Sequence, residues 1–400
     1  MRKALILLSL FIIKNLVHAQ LADRIELTND QRLIGLGTQR IVKSEILQED
    51  RPVIISLPNG YEESQAGYPV FYVLDGLQNI KHTIGTVELL TESGLIPPLI
   101  IVGIESLDRS RDLTPSRAGE NMYGGAGNAG IPQSGGAPSF LQFMKEELIP
   151  FVETNYRTHP YRILEGHSFG GLFSVFALMD SPEIFDALII EAPALWWNNE
   201  KMTQKAKEFF TSHAALEKTV YFGIGGNDGW GMRQELKRFV DVIEESQPEH
   251  FRWFHEEVGD EDHMASRLLL NYYGLKFIFA DLRISDTLTN NYQDSLFLKS
   301  ENQLTQKYGP QTRRPAGDYI NLVAQQLDAG NSSGAITILK TAIAGYPKYI
   351  GLLTYLARIY EQTSQMEKAI STYELAIEVS KKYKLGQEQD LMIAIERIKE

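Results

Sequence analysis

The sequence predicts an α/β fold with a doubly wound, mostly parallel sheet, followed by a small all-α domain. Two apolar stretches, residues 70–74 and 99–104, do not alternate with polar residues, which is typical of strands buried on both faces. Stretches long enough for helices, such as residues 80–92, separate these segments, so strand and helix alternate. Within residues 318–384 the alternation of strand and helix ends, and the sequence has an internal repeat with an offset of 34 residues.

Composition and charge limit the classes of function. The chain has 400 residues, of which 43% are hydrophobic and 22% are charged, so it is long enough for two or three globular domains. The formal net charge of -12 argues against general nucleic-acid binding. The absence of cysteine excludes thiol catalysis, disulfides and thiolate metal ligands. Because the histidines and acids lack a ligand spacing such as H-E-x-x-H, we expect neither a metal nor another cofactor.

The first 19 residues have the pattern of a signal peptide. Arg2 and Lys3 form a basic start, residues 4–13 form an apolar core, and small residues precede a cleavage point after Ala19. The apolar core is too short to span a membrane. We therefore expect export to the periplasm or the medium, without a further membrane anchor. The alternative is a buried strand at the amino terminus.

The elements of the α/β domain follow in order. Apolar runs that end at turn residues, such as Pro58-Asn59-Gly60, mark the strands, and longer amphipathic or wholly apolar segments mark the helices. Strands are predicted at residues 41–47, 53–57, 70–74, 99–104, 163–164, 187–191, 219–224 and 251–258. Helices are predicted at residues 80–92, 140–155, 172–179, 233–245 and 266–282. The segment 106–138, rich in glycine at its end, interrupts this order as either a functional lid or a surface loop without a role.

Residues 166–170, Gly-His-Ser-Phe-Gly, form a G-x-S-x-G motif between a predicted strand and a predicted helix. This context is that of a nucleophile elbow, in which the serine lies in a strained turn and needs small neighbours. The N–H groups that open the following helix point toward negative charge near Ser168. We predict that Ser168 is a nucleophile rather than a serine in an ordinary glycine-rich turn.

A serine nucleophile needs a base, and a neutral histidine performs this role near pH 7. His263 lies in a loop beyond the last predicted strand, from which it can reach the carboxyl edge of the sheet, and we predict that it is the base. Asp228 follows the preceding strand and gives the chain order Ser, Asp, His. Glu256, Glu257 and Asp262 are alternative carboxylates. The other histidines after Ser168 are in a helix, a turn and a strand: His213, His250 and His255.

An oxyanion hole needs two backbone donors directed at the developing charge. The N–H group of Phe169 is one expected donor. The second is expected from the loop after the strand at residues 70–74, and so from Gly76 or Leu77. Gly76 is equally compatible with an ordinary turn.

Five motifs together resemble the Putative esterase family of α/β-hydrolases. They are VLDG at 73–76, RDLTP at 111–115, GHSFGG at 166–171, APALWW at 192–197 and DH at 262–263. The resemblance covers residues 40–282 approximately, and the family includes the esterase D type, ferric-siderophore, feruloyl and acetylxylan esterases and mycolyltransferases. It implies Ser168 as nucleophile, His263 as base, and Leu77 and Phe169 as oxyanion donors. Because the acid varies in this family, a Ser-His dyad is an alternative to a triad with Asp228.

A substrate pocket is expected beside these residues. Paired tryptophans and the 106–138 segment are candidates to line it, although paired tryptophans are also common in cores. The expected pocket residues are Gly76, Arg111, Asp112, Trp196 and Trp197.

The carboxyl-terminal part is predicted to be a tetratricopeptide-like helical domain at residues 315–400. Small and apolar residues recur 34 positions apart, which is the period of that repeat. The matching pairs are Ala335 with Ala369, Ile336 with Ile370, Ala342 with Ala376, and Ile343 with Ile377. Two units are few for an independent solenoid, so we expect it to pack on the hydrolase domain or to dimerise. A generic helical extension is the alternative.

These observations predict a signal peptide at residues 1–19, an esterase domain at 20–285, a linker at 286–314 and the helical domain. The predicted function is a secreted serine esterase that acts through an acyl-enzyme on small-molecule or carbohydrate esters, with siderophore, acyl and feruloyl esters as candidates. The alternative is an inactive hydrolase-fold scaffold whose helical repeats bind a protein.

Overall fold

A mixed sheet lies at the centre of the computed structural model, which describes residues 35–118, 133–229 and 231–400. Within these residues the sheet has eight strands: β1 (Thr38–Ser44), β2 (Glu49–Ser56), β3 (Tyr68–Leu74), β4 (Ile100–Ile104), β5 (Thr158–His167), β6 (Ala187–Glu191), β7 (Ala215–Gly225) and β8 (Glu249–Val258). Their spatial order is β1-β2-β4-β3-β5-β6-β7-β8. Strands β3 to β8 run parallel, β1 and β2 form an antiparallel hairpin, and β2 pairs antiparallel with β4.

Helices cover both faces of this sheet. In chain order they are α1 (Gly76–Glu92), α2 (Arg109–Asp112), α3 (Ala137–Phe143), α4 (Ile149–Asn155), α5 (Phe169–Asp180), α6 (Trp197–Ser212), α7 (Met232–Ser246) and α8 (Ser266–Ile278). Successive residues of β5 face opposite layers of helices. Leu164 packs in the cluster that contains Leu172 of α5. Its neighbour Ile163 packs with Ile80 of α1 and Leu275 of α8. The predicted doubly wound α/β fold is confirmed.

Several elements differ from their predicted bounds, and two of these differences have a local cause in the backbone. The edge strand expected at residues 41–47 is β1, which ends at Ser44, and residues 45–48 form the turn into β2, with Gln48 at φ 53°. The helix expected at residues 140–155 contains a π-helical turn at Met144–Leu148 between α3 and α4. Pro150 lies in the first turn of α4, where its missing N–H group prevents a regular α-helical hydrogen bond.

Two predictions fall wholly or partly outside the described residues. The predicted signal peptide at residues 1–19 lies outside them, as do residues 119–132 of the 106–138 segment. The described beginning of that segment contains the short helix α2. In the portions of the chain that the structure describes, no helix is long and apolar enough to cross a membrane.

The chain after the α/β domain is helical. Its helices are α9 (Asp286–Asn290), α10 (Asp294–Tyr308), α11 (Ala316–Asp328), α12 (Ser332–Gly345), α13 (Ile350–Gln362), α14 (Met366–Tyr383) and α15 (Glu388–Lys399). Residues 286–314, predicted as a polar linker, contain α9 and α10. The polar residues of α10 are on one side, and Phe297 and Tyr308 are buried on the other, so the mixed composition belongs to an amphipathic helix.

The residues of the 34-residue repeat lie in helices that pack closely. Ala335 and Ala342 of α12 are fully buried, as are their matches Ala369 and Ala376 of α14. Small side chains at such positions let neighbouring helices approach each other. This burial supports the tetratricopeptide-like interpretation, which stays a prediction.

Candidate active site

Ser168 lies in the turn between β5 and α5. Its backbone has φ 60° and ψ −112°, a strained conformation for a residue with a side chain. The turn requires glycine at position 166, because a Cβ there would lie only 2.3 Å from the carbonyl oxygen of Gly170. A Cβ at Gly171 would lie 2.7 Å from the carbonyl oxygen of Glu191. The sequence therefore places glycine where β5, β6 and α5 meet most closely.

His263 forms a hydrogen bond with Asp228. Its Nδ1 lies 2.7 Å from Oδ2 of Asp228, whose side chain is 1% exposed. Because a carboxylate accepts, Nδ1–H donates and Nε2 is left to accept a proton. Ser168, Asp228 and His263 line the same cavity, whose volume is about 850 Å³. The structure thus brings together the three residues that the sequence predicts as nucleophile, acid and base.

The alternative carboxylates have other partners. Asp262 accepts hydrogen bonds from the backbone N–H groups of Met264 and Ala265, before α8, and these bonds hold the pKa of its carboxyl below the ordinary value. Glu256 accepts a hydrogen bond from the hydroxyl group of Tyr221 at 2.7 Å. Glu257 pairs with Arg233. These contacts favour Asp228 as the partner of His263.

The two predicted oxyanion donors lie in the first turns of α5 and α1. Phe169 begins α5 and Leu77 is the second residue of α1, positions at which N–H groups have no partner within the helix. The N–H group of Leu77 donates to the carboxylate of Glu105 in this structure. Burial raises the pKa of the Glu105 carboxyl, and the nearby Asp75 also raises it. A substrate oxygen would have to replace Glu105 at this donor.

Arg109, which is not among the site residues predicted from the sequence, connects the two segments that carry these donors. Its Nε donates to Oδ1 and Oδ2 of Asp75 at 2.9 and 3.0 Å, and its Nη2 donates to the carbonyl oxygen of His167 at 2.9 Å. Its guanidinium carbon lies 5.4 Å from the ring centroid of Phe169. The one available sequence signal is its position just after β4, since site residues in parallel sheets follow the carboxyl ends of strands.

His167 supports the loop that carries His263. Its Nε2 lies 2.7 Å from the carbonyl oxygen of His263, and the two ring centroids are 4.4 Å apart. A carbonyl oxygen accepts only, so Nε2 of His167 carries the hydrogen. Burial holds the pKa of His167 well below the ordinary value, and the neighbouring His263 lowers it further. His167 is therefore neutral near pH 7.

Two acidic side chains lie beneath Ser168, at the ends of β5 and β6. Glu165 and Glu191 are each 2% exposed, and Nδ2 of Asn271 donates to Oε1 of Glu165 at 2.8 Å. Burial raises the pKa of both carboxyl groups, and the Glu165 carboxylate raises that of Glu191 further through charge repulsion and a shared hydrogen bond. Burial and the repulsion between the two carboxylates therefore favour one proton bound to the pair.

Three predicted pocket residues lie elsewhere. Arg111 and Asp112 form an ion-pair network with Glu49 and Arg51, in which Asp112 is 1% exposed. They therefore hold α2 against β2. Gly76 is buried, and a Cβ there would lie 2.6 Å from the carbonyl carbon of Gly103, so this glycine allows α1 to pack on β4.

The paired tryptophans have different environments. Trp196 lines the cavity at Ser168, as predicted, together with Met232 and Met264. Trp197 is 1% exposed, and its Nε1 donates to the carbonyl oxygen of Ser116 at 3.1 Å. Trp197 is thus a core residue beside the elbow, because adjacent side chains point in different directions at the start of α6.

Glu235 adds a carboxyl group to the cavity at Ser168. Burial and the neighbouring Glu200 carboxylate raise the pKa of Glu235, while Arg238 lowers it. The net result is a pKa of about 7. The described lining therefore combines apolar surface with carboxyl groups. In the residues that the structure describes, no group of three or more histidine, aspartate and glutamate side chains is arranged to hold a metal ion.

Comparison with known proteins identifies the family. A family model described as "Putative esterase" matches residues 44–267, more than half of the chain. The chain belongs to this family. The match contains β2 to β8, with Ser168, Asp228 and His263.

Individual relatives share parts of the chain. The ferri-bacillibactin esterase BesA of Bacillus subtilis is 31% identical over 185 residues, which are 43% of this chain and 64% of that protein. A siderophore enterobactin esterase of Emericella nidulans is 34% identical over 139 residues, 32% of this chain and 45% of that protein. The chain thus matches less than two thirds of the length of each of these curated relatives.

A solved structure is similar over most of its length. The crystal structure of an IroE-like serine hydrolase from Shewanella oneidensis aligns with a TM-score of 0.64 at 24% identity, covering 76% of this chain and 98% of that chain. At this level of identity the likeness shows the fold.

Proposed function

We propose that the protein is a serine hydrolase that cleaves carboxylic esters through an acyl-enzyme. The observation that carries the proposal is the 2.7 Å hydrogen bond between His263 and Asp228 in the cavity that contains Ser168. A serine at a strained elbow, a histidine with a free Nε2 and an oriented carboxylate are the parts that acyl transfer requires.

In the proposed mechanism, Oγ of Ser168 attacks the ester carbonyl carbon while Nε2 of His263 takes the serine proton. Asp228 keeps the imidazole oriented and stabilises its positive charge. The tetrahedral oxyanion accepts hydrogen bonds from the N–H groups of Phe169 and Leu77. His263 then gives the proton to the leaving alcohol oxygen as the carbon–oxygen bond breaks. A water molecule, activated by His263, attacks the acyl-enzyme and releases the acid.

Siderophore esters are the substrates that the named relatives suggest, because both curated relatives described above are named as siderophore esterases. The cavity volume of about 850 Å³ accommodates a group larger than a simple acyl chain. Acyl and feruloyl carbohydrate esters remain candidates, since Trp196 supplies an aromatic surface for sugar or feruloyl rings. Export, a tetratricopeptide-like helical domain and a protein partner or homodimer remain predictions from the sequence.

A ladder of nitrophenyl esters, from acetate to octanoate, tests the proposed function. We expect the protein to hydrolyse the short esters and Ser168→Ala to lower kcat by at least about 10⁴-fold without loss of fold. Ser181→Ala, at the end of α5 and outside the cavity, is the matched control and retains activity. Equal activity of Ser168→Ala and the wild type would contradict the proposal. If the wild type reacts with a fluorophosphonate but not with these esters, siderophore lactones are the next substrates.

An inactive scaffold is the alternative, and it predicts a different result in the same experiment. A scaffold would neither hydrolyse esters nor react covalently at Ser168. The hydrogen-bonded Asp228 and His263 argue against it, because a scaffold does not require a buried acid at this position.

A further inference from the structure

Acidic side chains line the cavity at Ser168, and no residue of its described lining is a lysine or an arginine. The acids are Asp228, Glu235 and Asp262. Asp228 is engaged by its hydrogen bond with His263. Asp262 is exposed, and two backbone N–H groups stabilise its carboxylate. Glu235 and Asp262 are therefore the charged groups of the described lining that a bound substrate would meet.

Glu235 faces the cavity from the first turn of α7. Met232 lies three residues earlier on the same face of the helix and also lines the cavity. The Oε2 atom of Glu235 is shielded from water and has no hydrogen-bond partner. The basic residues of α7 pair with other acids: Arg233 with Glu257, Lys237 with Asp241, and Arg238 with Glu200. At the elbow, Arg109 is likewise paired with Asp75. The charge of Glu235 is thus available to a ligand, which would also satisfy an unpaired carboxyl oxygen.

The same cavity has an aromatic and thioether surface. Trp196 is partly buried against the core and lines the cavity, with its ring centroid 5.7 Å from that of Phe169. The face of a tryptophan ring attracts ammonium groups. Met232 and Met264 add polarizable thioether side chains that adapt to the shape of a ligand. An aromatic ring and thioethers contact the alkyl groups of an alkylammonium ion, and a carboxylate complements its charge.

We propose that the cavity at Ser168 binds a positively charged alkylammonium group of the ester substrate, and that Glu235 is the residue that selects this charge. This inference rests on the proposed ester hydrolysis and narrows its substrates. A cation in the cavity is attracted to Glu235 and Asp262, whereas an anion is repelled by both. A strongly anionic substrate, such as an iron(III) tris-catecholate, is therefore disfavoured.

The test uses two series of esters, because either the acyl or the alcohol part of a substrate can occupy the cavity. In the first series the acyl chain of a nitrophenyl ester ends in a trimethylammonium, a tert-butyl or a carboxylate group. In the second series the alcohol of an acetate ester ends in the same groups. Trimethylammonium and tert-butyl groups have the same shape, so their comparison isolates charge. Each kcat/KM is divided by the rate of hydroxide hydrolysis of the same ester, which removes the intrinsic effect of the charge.

The proteins compared are the wild type, Glu235→Gln and Glu245→Gln. Glu245→Gln is the matched control, because it removes the same charge from an exposed position of the same helix, outside the described lining of the cavity. The assays are made at pH 8, above the pKa of about 7 of Glu235, so that its carboxyl group is mostly ionised. The melting temperature of each variant shows whether the fold is kept.

We expect the wild type, in at least one series, to prefer the trimethylammonium ester over the tert-butyl ester by about tenfold in corrected kcat/KM. The tert-butyl ester should be preferred over the carboxylate ester by a similar factor. Glu235→Gln should lose most of both preferences and keep the value for the tert-butyl ester within about twofold, because glutamine has a similar size without the charge. Glu245→Gln should keep the preferences of the wild type.

Equal charge preferences of the wild type and Glu235→Gln in both series would overturn the inference, and hydrolysis of the tert-butyl esters would leave the proposed function in place. A wild type that favours the carboxylate ester, or shows no charge preference in either series, would overturn it in the same way. If Glu235→Gln does not fold, the preference of the wild type between the trimethylammonium and carboxylate esters decides. A wild type that hydrolyses no ester of either series would overturn the inference, and if it also does not react with a fluorophosphonate at Ser168, the proposed function fails with it.

Discussion

Two hydrogen bonds determine how His263 can act. Asp228 accepts a hydrogen bond from Nδ1 of the His263 ring, and His167 donates one to the backbone carbonyl oxygen of His263. The first bond fixes the tautomer, and the second fixes the position of the loop. Both depend on burial, because Asp228 and His167 are largely shielded from water, which would otherwise compete for these hydrogen bonds.

Asp228→Asn should lower kcat by two to four orders of magnitude, approximately, because an amide at this position favours the wrong tautomer of His263. Steady-state kinetics on a short nitrophenyl ester measures the effect, and the melting temperature shows whether the fold is kept. Glu256→Gln is the control, since Glu256 contacts Tyr221 and not His263. If Asp228→Asn retains wild-type kcat, a Ser-His dyad is sufficient and the proposed role of Asp228 is wrong.

Residues with local signals could be predicted, and residues that act across the sheet could not. Ser168 is marked by its glycine neighbours, and His263 and Asp228 by following strands in the expected order. Arg109 also follows a strand, but the sequence does not show that its side chain reaches Asp75 and the carbonyl oxygen of His167, because this contact depends on β3 lying between β4 and β5. Arg111 was assigned to the pocket from its motif, but a motif does not reveal that its side chain points toward Glu49.

Adjacent strand ends bury two carboxyl groups beneath the nucleophile. Glu165 of β5 and Glu191 of β6 lie on the face covered by α8, from which Asn271 donates to Glu165. The positive charge of Arg267 lowers the pKa of both, but burial acts more strongly and raises it. The folded protein therefore binds a proton at this pair more tightly than the unfolded chain does.

This pair should make stability depend on pH. As pH rises above the ordinary glutamate range, the unfolded chain releases the proton first, so the free energy of unfolding falls until the folded pair also releases it. Glu191→Gln keeps a donor to Glu165 without a titrating proton. Its stability relative to the wild type should therefore be greater at pH 8 than at pH 5, by up to about 1.4 kcal/mol per pH unit over the affected range.

Urea unfolding of both proteins at the two pH values measures this difference. Glu88→Gln, at an exposed position of α1, is the control and should show no such trend. A Glu191→Gln variant that loses stability relative to the wild type as pH rises would contradict the expected sign.

Elements were predictable where burial is uniform along them. Strands β3, β4 and β6 are buried at every position, so their apolar runs mark them in the sequence. Residues 286–314 were assigned to a linker because α10 buries only a few large residues among polar ones. The π-helical turn before α4 depends on how Pro150 is accommodated, which composition does not show.

In the molecule as a whole, the candidate site and the carboxyl-terminal helices lie toward opposite ends of β5. Ser168 follows its carboxyl end, whereas the Tyr308 ring of α10 packs against Tyr161 near its amino end, with ring centroids 4.8 Å apart. Arg314 strengthens this junction by donating to the backbone carbonyl oxygens of Asp281, Leu282 and Arg283. Among the described residues that line the cavity at Ser168, none belongs to these helices, in agreement with an enzyme that carries an appended helical domain.

The central claim is that Ser168 is the nucleophile of a serine hydrolase, and covalent labelling tests it most directly. The intact protein would be treated with a fluorophosphonate and the modified peptide identified by mass spectrometry. We expect one label per chain, on Ser168, and its loss in both Ser168→Ala and His263→Ala. Labelling of another residue, or an unlabelled wild-type protein that is folded, would contradict the account.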